Sequence, residues 1–186
     1  MAVETVFEDD FESGNLNKWT SVASWAATTA QKYSGGWSAY GYGALIKDLS
    51  ALIKARLTFY IRIDATNQRN YIVHWPYWAL VAQDDGHWQY YDGAYHNLPT
   101  DTTFIANTWY KIVVEFDADA NSIKYWINDA YKGEVTTISF DSITKILCTP
   151  HSASKAYIDV VKMEDLAAPP PVGGSPMLFG GGVTIG

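Results

Sequence analysis

Aromatic rings and small polar groups suited to holding a sugar crowd into residues 71–97, YIVHWPYWALVAQDDGHWQYYDGAYHN. The flat faces of Trp and Tyr stack on sugar rings, and neighbouring Asp, Asn and Gln supply partners for hydroxyls. Trp75, Tyr77, Trp78, Trp88, Tyr90, Tyr91 and Tyr95 are therefore candidate glycan contacts. The same side chains build subunit contacts or fill a core equally well. Strand alternation sends Tyr71, Val73, Trp75, Tyr77 and Val81 to one face, with Ile72, His74, Trp78 and Leu80 on the other. Both faces carry rings, so one set is expected to stay partly exposed. Residues 83–86 (QDDG) read as a tight turn joining 80–82 to 87–91, and Pro76 implies a bulge or an edge strand. His74, His87 and His96 lack the short paired spacing of a transition-metal site.

Carboxylates are the second candidate chemistry. Glu8, Asp9, Asp10 and Glu12 cluster near the start of the chain, and Glu115 and Asp117 share one face of a later strand with no third acid beside them. Solvated acids on an outer face are the simpler reading. Asp117, Asp119 and Asn121 open a D-x-D-x-N calcium pattern, but Ser122 stands where that loop needs glycine and Asn128 where it needs a bidentate Glu. A polar hairpin connector accounts for them. The H-E-x-x-H, G-x-S-x-G and phosphate-loop patterns are absent, so no enzymatic activity is expected. The one cysteine, Cys148, sits in an apolar run as a small buried hydrophobe and excludes an intrachain disulfide.

The elements that must position these groups read as strands. Residues 56–63 (RLTFYIRI) alternate cleanly, with Leu57, Phe59, Ile61 and Ile63 on one face. Residues 109–117 do the same with Tyr110, Ile112, Val114 and Phe116, and 123–128 follow as the return strand of a hairpin. Residues 128–133 read as another turn. Further strands are expected at 3–7, 21–29, 37–47, 71–81, 87–91, 143–148 and 156–163, with one weak helical candidate at 45–54. Short strands with polar turns point to an all-β, two-sheet antiparallel β-sandwich of the jelly-roll kind. A chain of 186 residues with 48% hydrophobic side chains suits one such core. The formal net charge of −7 and only three arginines exclude a phosphate-tracking, nucleic-acid-binding surface. No apolar run reaches the roughly 18–20 residues of a membrane span, and the N-terminus shows neither the basic nor the apolar region of a signal peptide.

Four segments in order resemble the concanavalin A-like lectin/glucanase, or laminin-G-like, jelly rolls. They are FEDDFESGNLNKW (7–19), SGGWSAYGYG (34–43), WYKIVVEFDADANSIKYWINDAYKG (109–133) and AYIDVVKME (156–164), together spanning most of residues 5–165. The resemblance implies two curved antiparallel sheets with the first and last strands close together. It also implies glycan binding on the concave sheet or rim loops. The glucanases of this fold carry E-x-D-x-x-E on one strand, where retention needs two carboxyls about 5–5.5 Å apart, and this chain lacks that motif. The family further implies one structural calcium clipping the two chain ends together. Glu8, Asp9, the backbone of Gly35 or Gly36, and Asp159 are its matching residues.

Residues 1–166 are read as the sandwich and 167–186 as a separate Gly/Pro-rich tail without a charged side chain. Such a stretch has no core of its own and is ordered only when something holds it. Met177, Leu178, Phe179, Val183 and Ile185 are expected to anchor it to neighbouring subunits, with Pro169–Pro171 as a stiff spacer. The reading that follows is a non-enzymatic structural or attachment subunit of a larger assembly at a virion or cell surface, with glycan binding superimposed. The alternative is a free-standing carbohydrate-binding lectin module of a glycan-degrading system.

Overall fold

The computed structural model describes residues 3–74 and 78–167, with His74 and Trp78 described by backbone alone. Fifteen strands follow one another among these residues: β1 (Glu4–Asp9), β2 (Ser21–Val22), β3 (Trp25–Thr28), β4 (Ser38–Gly41), β5 (Leu45–Leu52), β6 (Lys54–Ile63), β7 (Asn70–His74), β8 (Trp78–Ala82), β9 (Trp88–Tyr91), β10 (Tyr95–Asn97), β11 (Trp109–Asp117), β12 (Ser122–Ile127), β13 (Ala130–Val135), β14 (Ile143–Cys148) and β15 (Ala156–Asp165). No helix among the described residues is long and apolar enough to cross a membrane, a statement that leaves β-barrels aside.

Eight strands form one sheet in the order β13-β12-β11-β6-β15-β4-β3, with β1 lying along β15. The ladders β10-β9-β8-β7 and β14-β5-β2 form the opposing layer. An antiparallel bridge between Tyr71 and Thr149 joins them, the Thr149 N–H donating to the Tyr71 carbonyl at 2.8 Å. Four strands plus three thus make a seven-stranded layer. The two layers close on one core. Leu57 and Phe59 of β6 meet Ile72, Ile146 and Cys148 of the second layer around a small apolar gap. Trp88 reaches across to Tyr110 at 5.7 Å between ring centroids.

Period-two patterning explains why these strands form. Along β6 and β11 every second residue is buried, placing Leu57, Phe59, Ile61 and Ile63 beside Tyr110, Ile112, Val114 and Phe116. Burying so many large apolar side chains, at about 1.5–3 kcal/mol each before ordering costs, gives the sandwich its driving force. The expected pairing of the chain's first and last strands is present: Glu4 lies opposite Asp165, and Asp9 opposite Val161. Cys148 is buried as expected, and its burial pushes the thiol pKa well up.

Five local expectations need correction. The single strands expected over 21–29 and 37–47 are each two, β2 with β3 and β4 with β5, divided between the two layers. Residues 45–52 are strand β5, not helix, because Leu45 and Ile46 pair with Cys148 and Leu147 and tertiary pairing overrides the leucine spacing. The turn expected over 128–133 is only Asn128-Asp129, both with positive φ (51° and 64°). That two-residue mirror-image turn matches strand twist and lets β13 start at Ala130. The single strand expected over 71–81 is two, β7 and β8, paired antiparallel with register shifts on both sides of Val73. Ile72 and Val73 are consequently both buried, as are Leu80 and Val81.

Candidate functional site

The outward face of β7–β10 gathers one class of side chain. Tyr71 on β7 is opposite Val81, Val81 is opposite Gln89, Gln89 is opposite Asn97, and Tyr91 is opposite Tyr95. Arg69 and Gln83 extend the same face just beyond the ends of β7 and β8. The side chains are wired together. Arg69 Nε donates to Gln83 Oε1, Gln83 Nε2 donates to Gln89 Oε1 at 3.0 Å, and Gln89 Nε2 donates to Asn97 Oδ1 at 2.7 Å. The guanidinium lies over the Tyr95 ring, 4.0 Å from its centroid, and the Tyr71 and Tyr95 hydroxyls are 3.1 Å apart. Tyr91 packs at a tilt on Tyr95 with centroids 4.8 Å apart. The result is a half-buried pad of rings flanked by amides. A hairpin at 83–87 holds it: Gln83 N–H donates to the His87 carbonyl at 2.9 Å, and Gly86 takes φ 85°, open to glycine without strain.

The electrostatics of the pad follow from its neighbours. Burial works against the charge on Arg69, but the Tyr71 and Tyr95 hydroxyls outweigh it and hold the guanidinium pKa above its ordinary value. Burial, then the Tyr71 hydroxyl, raises the Tyr95 phenol pKa, so that ring stays a neutral donor and acceptor. Gln83 and Gln89 are buried amides whose satisfied hydrogen bonds fix the geometry of the pad before any ligand arrives.

The structure sorts the sequence candidates. Tyr91 and Tyr95 lie on the pad. Trp88 does not: it is 0% exposed, packed on Phe104 at 5.2 Å and on Tyr110, because parity along β9 turns it inward. Tyr90 shares that inward parity, packing at the margin of the core and stacking on His96 at 5.1 Å. Trp75, Tyr77 and the tail residues Met177, Leu178, Phe179, Val183 and Ile185 lie outside the described residues, and Trp78 is described by backbone alone. Sequence reasoning missed Arg69, Gln83, Gln89 and Asn97 as members of one surface. Their signal is shared parity across four paired strands, visible only once the register is known.

The calcium implied by the family resemblance was tested against its four residues. Asp9 is 1% exposed. Its Oδ1 accepts the Phe11 N–H at 3.0 Å and its Oδ2 the Trp19 indole N–H at 2.8 Å. The Lys18 ammonium stands 3.5 Å from Asp9 Oδ1 and donates to the Glu8 carbonyl at 3.1 Å. Asp159 Oδ2 accepts the N–H groups of Tyr33 and Ser34 at 2.9 and 3.0 Å, while Oδ1 accepts that of Val160. Gly36 turns its N–H, not its carbonyl, toward the Glu12 carboxylate. Calcium needs six or more oxygens aimed at one point. Among the described residues no three His, Cys, Asp or Glu side chains form such a group. The residues do not fit calcium; the cation beside Glu8 and Asp9 is Lys18. Loop 33–37 is instead a cradle of N–H groups for two carboxylates. Gly35 takes φ 59° there, and a Cβ would collide with Glu12. Burial raises the Asp159 pKa, its N–H partners oppose that, and the Glu12 charge adds to it.

The opposite outer face, on the eight-stranded sheet, neutralises its own charges. Arg56 pairs with Glu115 at 2.5 Å and Glu164 at 3.7 Å, Lys162 with Glu164, and Lys54 with Asp117 and Asp119. Asn121 takes φ 48° and its Oδ1 accepts the Phe140 N–H, so residues 117–121 form the polar connector expected from the sequence.

No protein-family model and no curated protein matches this chain. Solved structures do. A sialidase superposes with TM-score 0.66 at 12% identity over 87% of this chain, which spans only 18% of that protein. A carbohydrate esterase of the Shiga toxin-encoding bacteriophage phi24B gives 0.63 at 11% identity, over 88% of this chain and 99% of that one. Domain 4 of AbnA, an extracellular GH43 arabinanase of Geobacillus stearothermophilus solved with arabinotriose, gives 0.57 at 12% identity, over 89% and 94%. At these identities the likeness concerns the fold. It bears out the two-sheet antiparallel β-sandwich.

Proposed function

We propose that this chain is a non-catalytic carbohydrate-binding module of a glycan-degrading system, acting outside the cell or at a surface. The observation that carries the reading is the pad itself: Tyr71, Tyr91 and Tyr95 beside the amides of Gln83, Gln89 and Asn97 on one sheet face. Rings supply stacking area and fixed amides supply hydroxyl partners, the mixture expected of a sugar site. The likeness to the arabinotriose-bound domain and to the esterase supports it. A non-catalytic role is supported by the acids of the opposite face, which are engaged in ion pairs. The test is a glycan array followed by calorimetry. The wild-type protein is expected to bind a defined set of glycans, and Tyr91→Ala and Tyr95→Ala each to lose about tenfold or more, as for a buried aromatic contact. Retention of full affinity by both variants would move the site elsewhere.

A second reading, an attachment subunit of a larger particle carrying the same sugar-binding face, draws support from the bacteriophage relative of nearly equal length and from the uncharged tail. Deleting residues 167–186 tests it: assembly fails while the sandwich stays folded.

A further inference from the structure

The chain has three arginines, and two of them are ion-paired. Arg56 meets Glu115 and Glu164, and Arg62 meets Asp64 at 3.2 Å. Arg69 differs. Among the described residues no carboxylate stands within ion-pair reach of it, and its fixed partners are the neutral Gln83 amide, the Tyr71 hydroxyl and the Tyr95 side chain. The carboxylate of Asp85 reaches the network only at its far end, through Gln89 Nε2 at 3.4 Å, and is itself 3.2 Å from His87. In a chain with 20 acids against 13 lysines and arginines, a half-buried guanidinium without a counter-ion is an exception. Burial of a charge is costly unless it is paired, and here the neutral neighbours hold the side chain without neutralising it.

We propose that the sugar taken by this face carries a carboxylate, as in a uronic or sialic acid, and that Arg69 is the group that reads it. The proposal rests on the carbohydrate-binding reading above. The guanidinium fork takes a planar carboxylate edge-on through two parallel hydrogen bonds. Tyr95 covers one guanidinium face, which leaves the edge as the approach. Lysine would supply the charge without the fork. Tyr91 then offers the stacking surface for the sugar ring, and Asn97, exposed and held by Gln89, a hydroxyl partner, so one acidic residue of a glycan spans the pad.

The experiment is calorimetry of the intact chain with two matched pairs: tri-galacturonic acid against its methyl ester, and sialyllactose against lactose. One acid is expected to bind about 10- to 100-fold tighter than its neutral partner, the range of a charge-assisted bond, with the preference shrinking at high salt. Which pair shows it identifies the source of the carboxylate. Arg69→Gln should erase that ratio and Arg69→Lys restore part of it, with thermal melts confirming folding. Equal binding within each pair, a ratio that survives Arg69→Gln, or array binding only to neutral or sulfated glycans overturns the proposal and leaves the carbohydrate-binding reading standing. Failure to bind any glycan on the array removes both.

Discussion

The two outer faces of the sandwich both carry polar side chains and treat them in opposite ways. On the eight-stranded sheet Arg56, Glu115, Glu164, Lys162, Lys54 and Asp117 neutralise one another at the surface. On the β7–β10 face of the other layer the amides of Gln83 and Gln89 are buried and bonded in a chain, rings lie beside them, and Arg69 stands without a carboxylate. A self-neutralising lattice asks nothing of a ligand. An ordered pad of donors and rings has already met part of the ordering cost that binding would otherwise impose. On the function proposed above, the pad rather than the ion-paired patch is the face that meets the sugar.

The comparison can be broken from inside the second layer first. Trp88→Ala, one parity step from the pad, should cost about 3–5 kcal/mol of stability in urea unfolding, as for large-to-small core changes. A cost near zero would mean that the aromatic run is not divided between core and surface as described. Gln89→Ala deprives Gln83 and Asn97 of a shared partner. It should lower stability by about 1–3 kcal/mol, the cost of orphaned buried polar groups, and weaken glycan affinity with it. Affinity unchanged despite the stability loss would separate the amide chain from recognition. Glu115→Gln on the charged face should change stability by no more than about 1 kcal/mol, as exposed ion pairs do, and leave affinity untouched. Any clear loss of binding there would erase the contrast between the faces. Calcium or a chelator should leave the melting temperature where it is, because Lys18 already provides the cation; a calcium-dependent rise would overturn that assignment.

Much of the fold was legible in the sequence because it rests on short-range rules. The alternation of Leu57–Ile63 and Tyr110–Phe116 has the period of a half-buried strand, and the turn at Gln83–Gly86 shows in its residue types. Leu45, Leu49 and Leu52 mislead, since their spacing suits a helix and only pairing with Ile146–Cys148 decides otherwise. The pad was half legible. Tyr91 and Tyr95 stand out by type, but a run with rings on both faces does not say which face is inside. Phe104 and Tyr110, distant in sequence, answer that by closing over Trp88. Arg69 gave no local signal; its distinction is the lack of a partner the other arginines have. The calcium expectation was read from Glu8, Asp9 and Asp159 by type; the register brings the Lys18 ammonium, a member of the same opening segment, onto the Glu8 carbonyl and Asp9 instead.

Glu4 and Asp165 sit side by side in the sheet. The sandwich therefore receives and releases its backbone at one place. A host polypeptide can carry it in a surface loop as a cassette, with no stretching of the host on either side. For the same reason a short Gly/Ser link across that gap permits circular permutation, with new ends opened at an exposed turn such as Asn128-Asp129.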